Sequence, residues 1–204
     1  MFIKNKIKLY IFDLDGVLLD SSKNMSLAWQ DVKNKFNINI PFFEYKKHIG
    51  LPFFTILKNI GIKKDYLKIK KTYSESSIKN FKKKITLFNN TEKIINILKR
   101  KSKVAILTSK DTLRTNYILK KKKLKFDCVI TCDNVNKGKP NKEGVLKILS
   151  KLKIKKENTV YIGDTKVDEL TAKNAKIKFL YANWGFGRKR KKSIKSLKDL
   201  INKN

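Results

Sequence analysis

The 204 residues suffice for one well-packed core with a small appendage, and 41% apolar content excludes a disordered chain. No apolar run approaches membrane-spanning length, so a helical membrane protein is excluded and a soluble, cytoplasmic one is expected. Lys and Arg number 50 against 17 Asp and Glu, a formal charge of +33, yet the only arginines are Arg100, Arg114, Arg188 and Arg190; arginine is the usual reader of phosphates and base edges, so the excess reads as drift toward Lys, Asn and Ile, and nucleic acid is not the expected partner.

The chain begins with Lys4, Lys6 and Lys8 interleaved with apolar residues, which leaves no uninterrupted secretory h-region. Ile7, Leu9 and Ile11, with Tyr10 and Phe12 between, predict a buried strand. It runs into Asp13-Leu14-Asp15-Gly16-Val17-Leu18-Leu19-Asp20-Ser21. Residues i and i+2 of a strand face one side, so Asp13 and Asp15 are expected to converge at its C-terminal end, where open α/β sheets bind ligands. Two such carboxylates repel by about 4 kcal/mol at about 4 Å and an effective dielectric of about 20. A cation or a shared proton offsets that repulsion.

From about Asp20 to Phe36 the apolar positions Met25, Leu27, Ala28, Trp29, Val32 and Phe36 predict a helix, with Trp29 in its core face. Lysine-rich helical segments follow to about Lys84, broken at Pro41, Gly50-Leu51-Pro52 and Gly61, with no strong strand among them. His48, the only histidine, reads as a surface residue. The rhythm then changes. Helices are predicted over 91–99, 111–122 (capped by Asp111), 142–151, 167–175 and 193–201, and strands over 104–107, 126–130, 159–162 and 177–181. This alternation predicts an α/β fold, a Rossmann-like parallel-sheet core with right-handed crossovers. The long helical insertion after the first strand predicts a separate small lobe, with residues 1–18 and 88–204 forming the core and 19–87 an α-helical cap domain. Cys128 and Cys132 lack the second pair a zinc site requires; Cys128 reads as a buried thiol and a reducing compartment fits. The runs Lys120–Lys123 and Arg188–Lys192 read as solvated surface.

Each predicted strand ends in a polar group. Asp13 and Asp15 follow the first and Thr108 and Ser109 the second; Lys139 follows the third after a loop, and Gly163-Asp164-Thr165-Lys166-Val167-Asp168 the fourth. Singly each has an ordinary structural explanation, such as helix capping or the first-turn preference for acids. Jointly, at one sheet edge, they describe a constellation of four carboxylates, a hydroxyl and a lysine.

In these residues the chain resembles the haloacid dehalogenase-like hydrolase superfamily over nearly its whole length, with all four motifs in order. The small helical insert after the first motif, Leu107-Thr108-Ser109-Lys110 and Ala182-Asn183-Trp184-Gly185-Phe186-Gly187 are similar to its phosphoglycolate phosphatase and pyrophosphatase branch. The resemblance implies a hydrolase of phosphoric monoesters acting on a small phosphorylated metabolite. Asp13 would be the nucleophile that forms an aspartyl-phosphate, and Asp15 the general acid and then base. Mg2+ would be held by Asp13, the backbone carbonyl of Asp15 and Asp164, with Asp168 in its shell. Lys139 would balance charge, while Thr108, the Ser109 amide and the turn at Gly16 would receive the phosphoryl oxygens. Superfamily members that attack carbon lack an acid/base at the Asp15 position, so its presence argues for phosphoryl chemistry.

Asn89-Asn90 stand where relatives commonly have Pro-Gly, and Ala175-Lys176 where they often have Ala-Gly. A phosphomutase of the β-phosphoglucomutase kind would share the same residues, and a phosphonate-cleaving relative would add a cap lysine. A basic nucleic-acid-binding protein on a retired scaffold would have no need of Asp15.

Overall fold

A computed structural model describes residues 6–201, so the expectation drawn at Lys4 lies outside the described residues. The elements in chain order are β1 (Leu9–Phe12), β2 (Leu19–Asp20), α1 (Ser22–Phe36), α2 (Phe42–Lys46), α3 (Phe53–Asn59), α4 (Tyr66–Lys79), α5 (Phe81–Lys84), β3 (Thr86–Leu87) and α6 (Thr91–Lys99). They continue with β4 (Lys103–Leu107), α7 (Thr112–Lys121), β5 (Cys128–Ile130), α8 (Glu143–Leu152), β6 (Thr159–Gly163), α9 (Lys166–Ala175) and β7 (Lys178–Tyr181).

Side chains alternate along β1: Tyr10 and Phe12 enter one apolar cluster with Ile94, Ile95 and Ile118, while Leu9 and Ile11 enter another with Val145, Ile148 and Ala172. A strand apolar on both faces must lie between two helical layers. It does: the five-stranded parallel sheet has the order β5-β4-β1-β6-β7. β1 is central and the winding reverses beside it. Asp13, Thr108 and Asp164 follow the C-terminal ends of β1 and its two neighbours, β4 and β6. Such a reversal opens a crevice where ligands bind.

Helices α1–α5 form the inserted α-helical cap, which encloses a third apolar cluster containing Met25, Trp29, Tyr45, Phe53 and Tyr73. Trp29 is fully buried and its indole N–H donates to the carbonyl of Ile40 at 2.8 Å. The chain leaves and re-enters the core through the antiparallel pair β2–β3, with Leu19 opposite Leu87 and Asp20 opposite Thr86. Strands of two residues carry no periodicity, which is why the sequence did not announce them.

The predicted helix over 193–201 is not formed. Ile194 instead bridges to Ala182, and only Leu197–Leu200 makes a 3-10 turn, capped by Ser196 and Asp199. Burial of Ile194 and Leu197 against the sheet layer outweighs helix propensity there. Arg190 likewise departs from a solvated reading. Its guanidinium lies 4.1 Å from the Tyr181 ring centroid and 3.1 Å from Glu169.

Helices α1, α8 and α9 end on Asn37, Lys153 and Lys176 in left-handed conformations (φ 50°, 53° and 57°), the place glycine usually takes. Asn90 (φ 66°) supplies the same conformation at the start of α6. Lys176 is exposed and makes no ion pair among the described residues. Its left-handed backbone costs about 1–2 kcal/mol, part of which glycine returns as unfolded-state entropy. Lys176→Gly is therefore expected to raise stability by about 0.5–1 kcal/mol, read as an upward shift of the urea unfolding midpoint at constant slope.

Candidate active site

β1 ends at Phe12, so Asp13 and Asp15 are not successive same-side strand positions. The Asp13 amide still pairs with the Ile162 carbonyl at 2.9 Å, whereas Asp15 forms only an isolated bridge with Leu19. Their carboxylates consequently part. Asp13 joins Asp164 and Asp168, and one oxygen of each of the three lies within 4.8 Å of the others. The Asp15 carboxylate is held elsewhere, accepting from Ser21 Oγ at 2.5 Å and pairing with Lys110 Nζ at 3.1 Å. Convergence on one point was the expectation; two adjoining stations are what the turn produces. Gly16, at φ +85°, makes that turn, and a Cβ there would collide with the Asp164 carboxylate.

Lys139 reaches from the loop between β5 and α8 into the acidic group. Its Nζ lies 3.0 Å from Asp13 Oδ1 and 2.7 Å from Asp168 Oδ1, and donates to the Tyr161 hydroxyl at 3.2 Å. Asp168 is fully engaged. Its Oδ1 also accepts from the Tyr161 hydroxyl (2.9 Å), and its Oδ2 accepts from the Thr165 amide (3.1 Å) and hydroxyl (2.7 Å), a capping box at the start of α9. Asp164 is fully buried; the Phe186 amide donates to its Oδ2 at 2.6 Å, and its Oδ1 is buried without a hydrogen-bond partner.

The electrostatics follow from these contacts. Burial pushes the Asp13 carboxyl up to about 7, against the pull of Lys139. Burial, together with the charges of Asp168 and Asp13, raises Asp164 well above the usual carboxylate range. Asp168 is held below it because Lys139 and hydrogen bonds from Lys139, Thr165 and Tyr161 outweigh its burial. Burial alone disfavours the charged form of Lys139, but Asp13 and Asp168 reverse that and its pKa is raised. The raised Asp13 and Asp164 carboxyls mark negative charge that Lys139 alone does not offset; with all three carboxyls ionised, one ammonium would leave two negative charges in a dry site. Hard carboxylate donors, an orphaned buried oxygen on Asp164 and a deficit of two charges fit a divalent hard cation.

Thr108 is buried at the end of β4, its Oγ1 accepting from the Lys110 amide at 3.1 Å. Ser109 Oγ donates to the Gly50 carbonyl of the cap at 2.6 Å. Asp13, Asp15, Thr108, Ser109, Lys110 and Lys139 all face one cavity of about 50 Å³, roofed by Tyr45, Phe53, Ile56 and Tyr73 of the cap. His48 lies outside that wall, half-buried beside Asn59. Sequence reasoning missed Lys110, Arg114, Ser21, Tyr161 and the Phe186 amide. The Lys-Asp pair after Ser109 gave a signal for the first; a tyrosine inside a buried strand gave none.

The family profile described as haloacid dehalogenase-like hydrolase matches residues 10–182. A pyrophosphatase, PpaX of Bacillus mycoides, is 28% identical over 186 residues, covering 88% of this chain and 85% of its own. A Bacteroides fragilis protein assigned as a haloacid dehalogenase-like hydrolase superposes with a TM-score of 0.86 at 25% identity, over 96% of this chain and all of its own. A Lactobacillus plantarum protein assigned as a phosphoglycolate phosphatase gives a TM-score of 0.86 at 19% identity, over 98% of this chain and 100% of its own. The last likeness concerns the fold alone.

Proposed function

This chain belongs to the haloacid dehalogenase-like hydrolase family, and we propose that it is a Mg2+-dependent phosphatase that hydrolyses a small phosphorylated metabolite through an aspartyl-phosphate on Asp13. What carries the reading is the separation of two carboxylates into different environments on one cavity. Asp13 sits with Lys139, and Asp15 sits with Lys110 and Ser21.

In this reading Asp13, the backbone carbonyl of Asp15 and Asp164 hold the ion, while Asp168 anchors Lys139 at its edge. Bound there, Mg2+ neutralises the charge that would keep a carboxylate from an anionic phosphate. Lys139 and Thr108, with the Ser109 amide and the turn at Gly16, receive the non-bridging oxygens. An Asp13 oxygen bonds to phosphorus as the bond to the leaving oxygen breaks, and Asp15 gives that oxygen its proton. Asp15 then takes a proton from water, whose oxygen bonds to phosphorus as the bond to the Asp13 oxygen breaks; phosphate leaves, Asp13 is a carboxylate again and Asp15 again carries the proton it gave up. Ser21 and Lys110 fix the Asp15 carboxylate for both transfers. The cap, residues 19–87, closes the site to bulk water and limits what enters.

A panel of phosphorylated metabolites, pyrophosphate and nucleotides, assayed with Mg2+ and with chelator, tests this. Mg2+-dependent phosphate release from a small member is expected. Release from none overturns the reading, and isomerisation without release selects a phosphomutase. Among the described residues no helix is long and apolar enough to cross a membrane.

A further inference from the structure

A second cavity, of about 460 Å³, shares no lining residue with the catalytic one. One wall is α9, with Lys166, Glu169 and Lys173; the other is the loop after β7, with Arg190 and Lys192. Leu170, Ile177 and Phe179 give it an apolar floor. Glu169 is the only acid among its lining residues, and one Glu169 oxygen already holds both Lys166 at 3.0 Å and Arg190 at 3.1 Å. Lys173 and Lys192 are exposed and make no ion pair among the described residues. Four cations against one carboxylate leave a positive surplus facing the space, which complements an anion.

The basic loop is fastened to the sheet. The Tyr181 hydroxyl donates to the Arg188 carbonyl at 2.9 Å, the Arg190 amide donates to Asn183 Oδ1 at 2.8 Å, and the Arg190 guanidinium stacks on the Tyr181 ring. A cation held in place before a ligand arrives lowers the ordering cost of binding. The same loop reaches the catalytic site. The Phe186 amide donates to Asp164 Oδ2 at 2.6 Å, and a Cβ at Gly187 would overlap both the Asp164 carbonyl and the Tyr181 hydroxyl. Phe186 and Arg190 are four residues apart, at most about 14 Å of chain. Helix α9 joins the two places as well: Asp168 closes the capping box inside the site, and Glu169 beside it lines the cavity.

We propose that this cavity is an effector site for a nucleoside di- or triphosphate, with the phosphates on Lys173, Lys192 and Arg190, the base on the apolar floor, and occupancy tightening the loop that carries the Phe186 amide to Asp164. The volume lies within the range of about 300–1,000 Å³ typical of single-ligand sites, so it suits one nucleotide and not a run of them. Inorganic phosphate alone would leave Leu170, Ile177 and Phe179 uncovered. Binding rests on the cavity; its effect on catalysis rests on the phosphatase reading above, in which Asp164 holds the ion.

The probe is the hydrolysis-resistant β,γ-imido analogue of ATP, added to wild-type protein in chelator at about 0.15 M salt, where charges are screened beyond about 8 Å. Saturable binding is expected, tighter than that of inorganic tripolyphosphate, which is at least as highly charged but has no base. Lys173→Gln/Lys192→Gln is expected to weaken it by about 10-fold or more. Lys120→Gln/Lys125→Gln removes as much charge elsewhere and should leave it unchanged. Binding should slow amide hydrogen exchange across 183–190, Phe186 included. With free Mg2+ controlled, it should also lower the Mg2+ concentration for half-maximal phosphate release by about 5-fold or more. No saturable binding, tripolyphosphate binding as tightly as the analogue, equal losses in the two double variants, or displacement by single-stranded RNA at lower nucleotide concentration than by ATP overturns the inference. So does binding that leaves exchange across 183–190 or the Mg2+ requirement unchanged. Phosphate release from no substrate overturns the phosphatase reading alone, because binding and exchange are read without turnover.

Discussion

Replacing Asp13 by Asn is expected to abolish phosphate release, by at least about 10⁴-fold in kcat, while leaving the metal-free fold at least as stable. The amide is nearly isosteric, but its oxygen carries no charge with which to attack phosphorus. The stability side has the opposite sign from the usual loss of a salt bridge. Burial holds the Asp13 carboxyl up at about 7 despite the Lys139 ammonium 3.0 Å away. A group with a raised folded pKa contributes most at low pH, and its contribution is lost as pH rises from its ordinary carboxylate value through about 7. Asn does not titrate, so that decline should vanish. Thermal unfolding in chelator at pH 5 and pH 8 checks it: the wild-type midpoint should fall across the interval more than that of Asp13→Asn. Phosphatase turnover retained by the variant would dismiss Asp13 as the nucleophile.

Lys139→Met should damage both activity and stability. The side chain is 4% exposed and touches Asp13, Asp168 and the Tyr161 hydroxyl. Methionine matches the lysine stem as far as Cε, so the change removes the charged terminal nitrogen with little change in volume. Breaking a buried pair while its partners remain costs about 3–5 kcal/mol, because the remaining charges have nothing to offset them. Loss of the cation facing the transferring phosphoryl group adds a drop of about 10²–10³-fold in kcat. The two effects separate in a cycle. Adding Asp13→Asn to Lys139→Met removes one of the stranded carboxylates and should recover part of the stability but none of the activity. If Lys139→Met unfolds at the wild-type denaturant concentration, the ion pairs described here are not what holds the site.

Much of the molecule was legible in order along the chain. The strands near 9–12, 103–107 and 159–163 are near-continuous apolar runs, as sheets covered on both faces require. The helix at 91–99 shows its face as Ile94, Ile95 and Leu98, and Asp111 announces the start of α7. Asp13, Thr108, Lys139, Asp164 and Asp168 follow from those elements, because parallel strands end on one side and deliver whatever follows them to one edge. Local pattern alone suffices for such residues.

Other features depend on contacts far apart in sequence, which no local pattern encodes. Asp15 leaves the group of Asp13 because Lys110 and Ser21 hold it, after a turn that glycine alone can make beside Asp164. Tyr161 reads as one more apolar strand residue until its hydroxyl is found between Lys139 and Asp168. Ile194 abandons a helix to bridge Ala182 because burial there outweighs propensity. The sequence by itself determined which residues reach the sheet edge, since a strand's apolar run and its terminal residue are written consecutively. Only the tertiary structure decided which carboxylates share a site and which cations answer them, since those depend on distances between side chains brought together by packing.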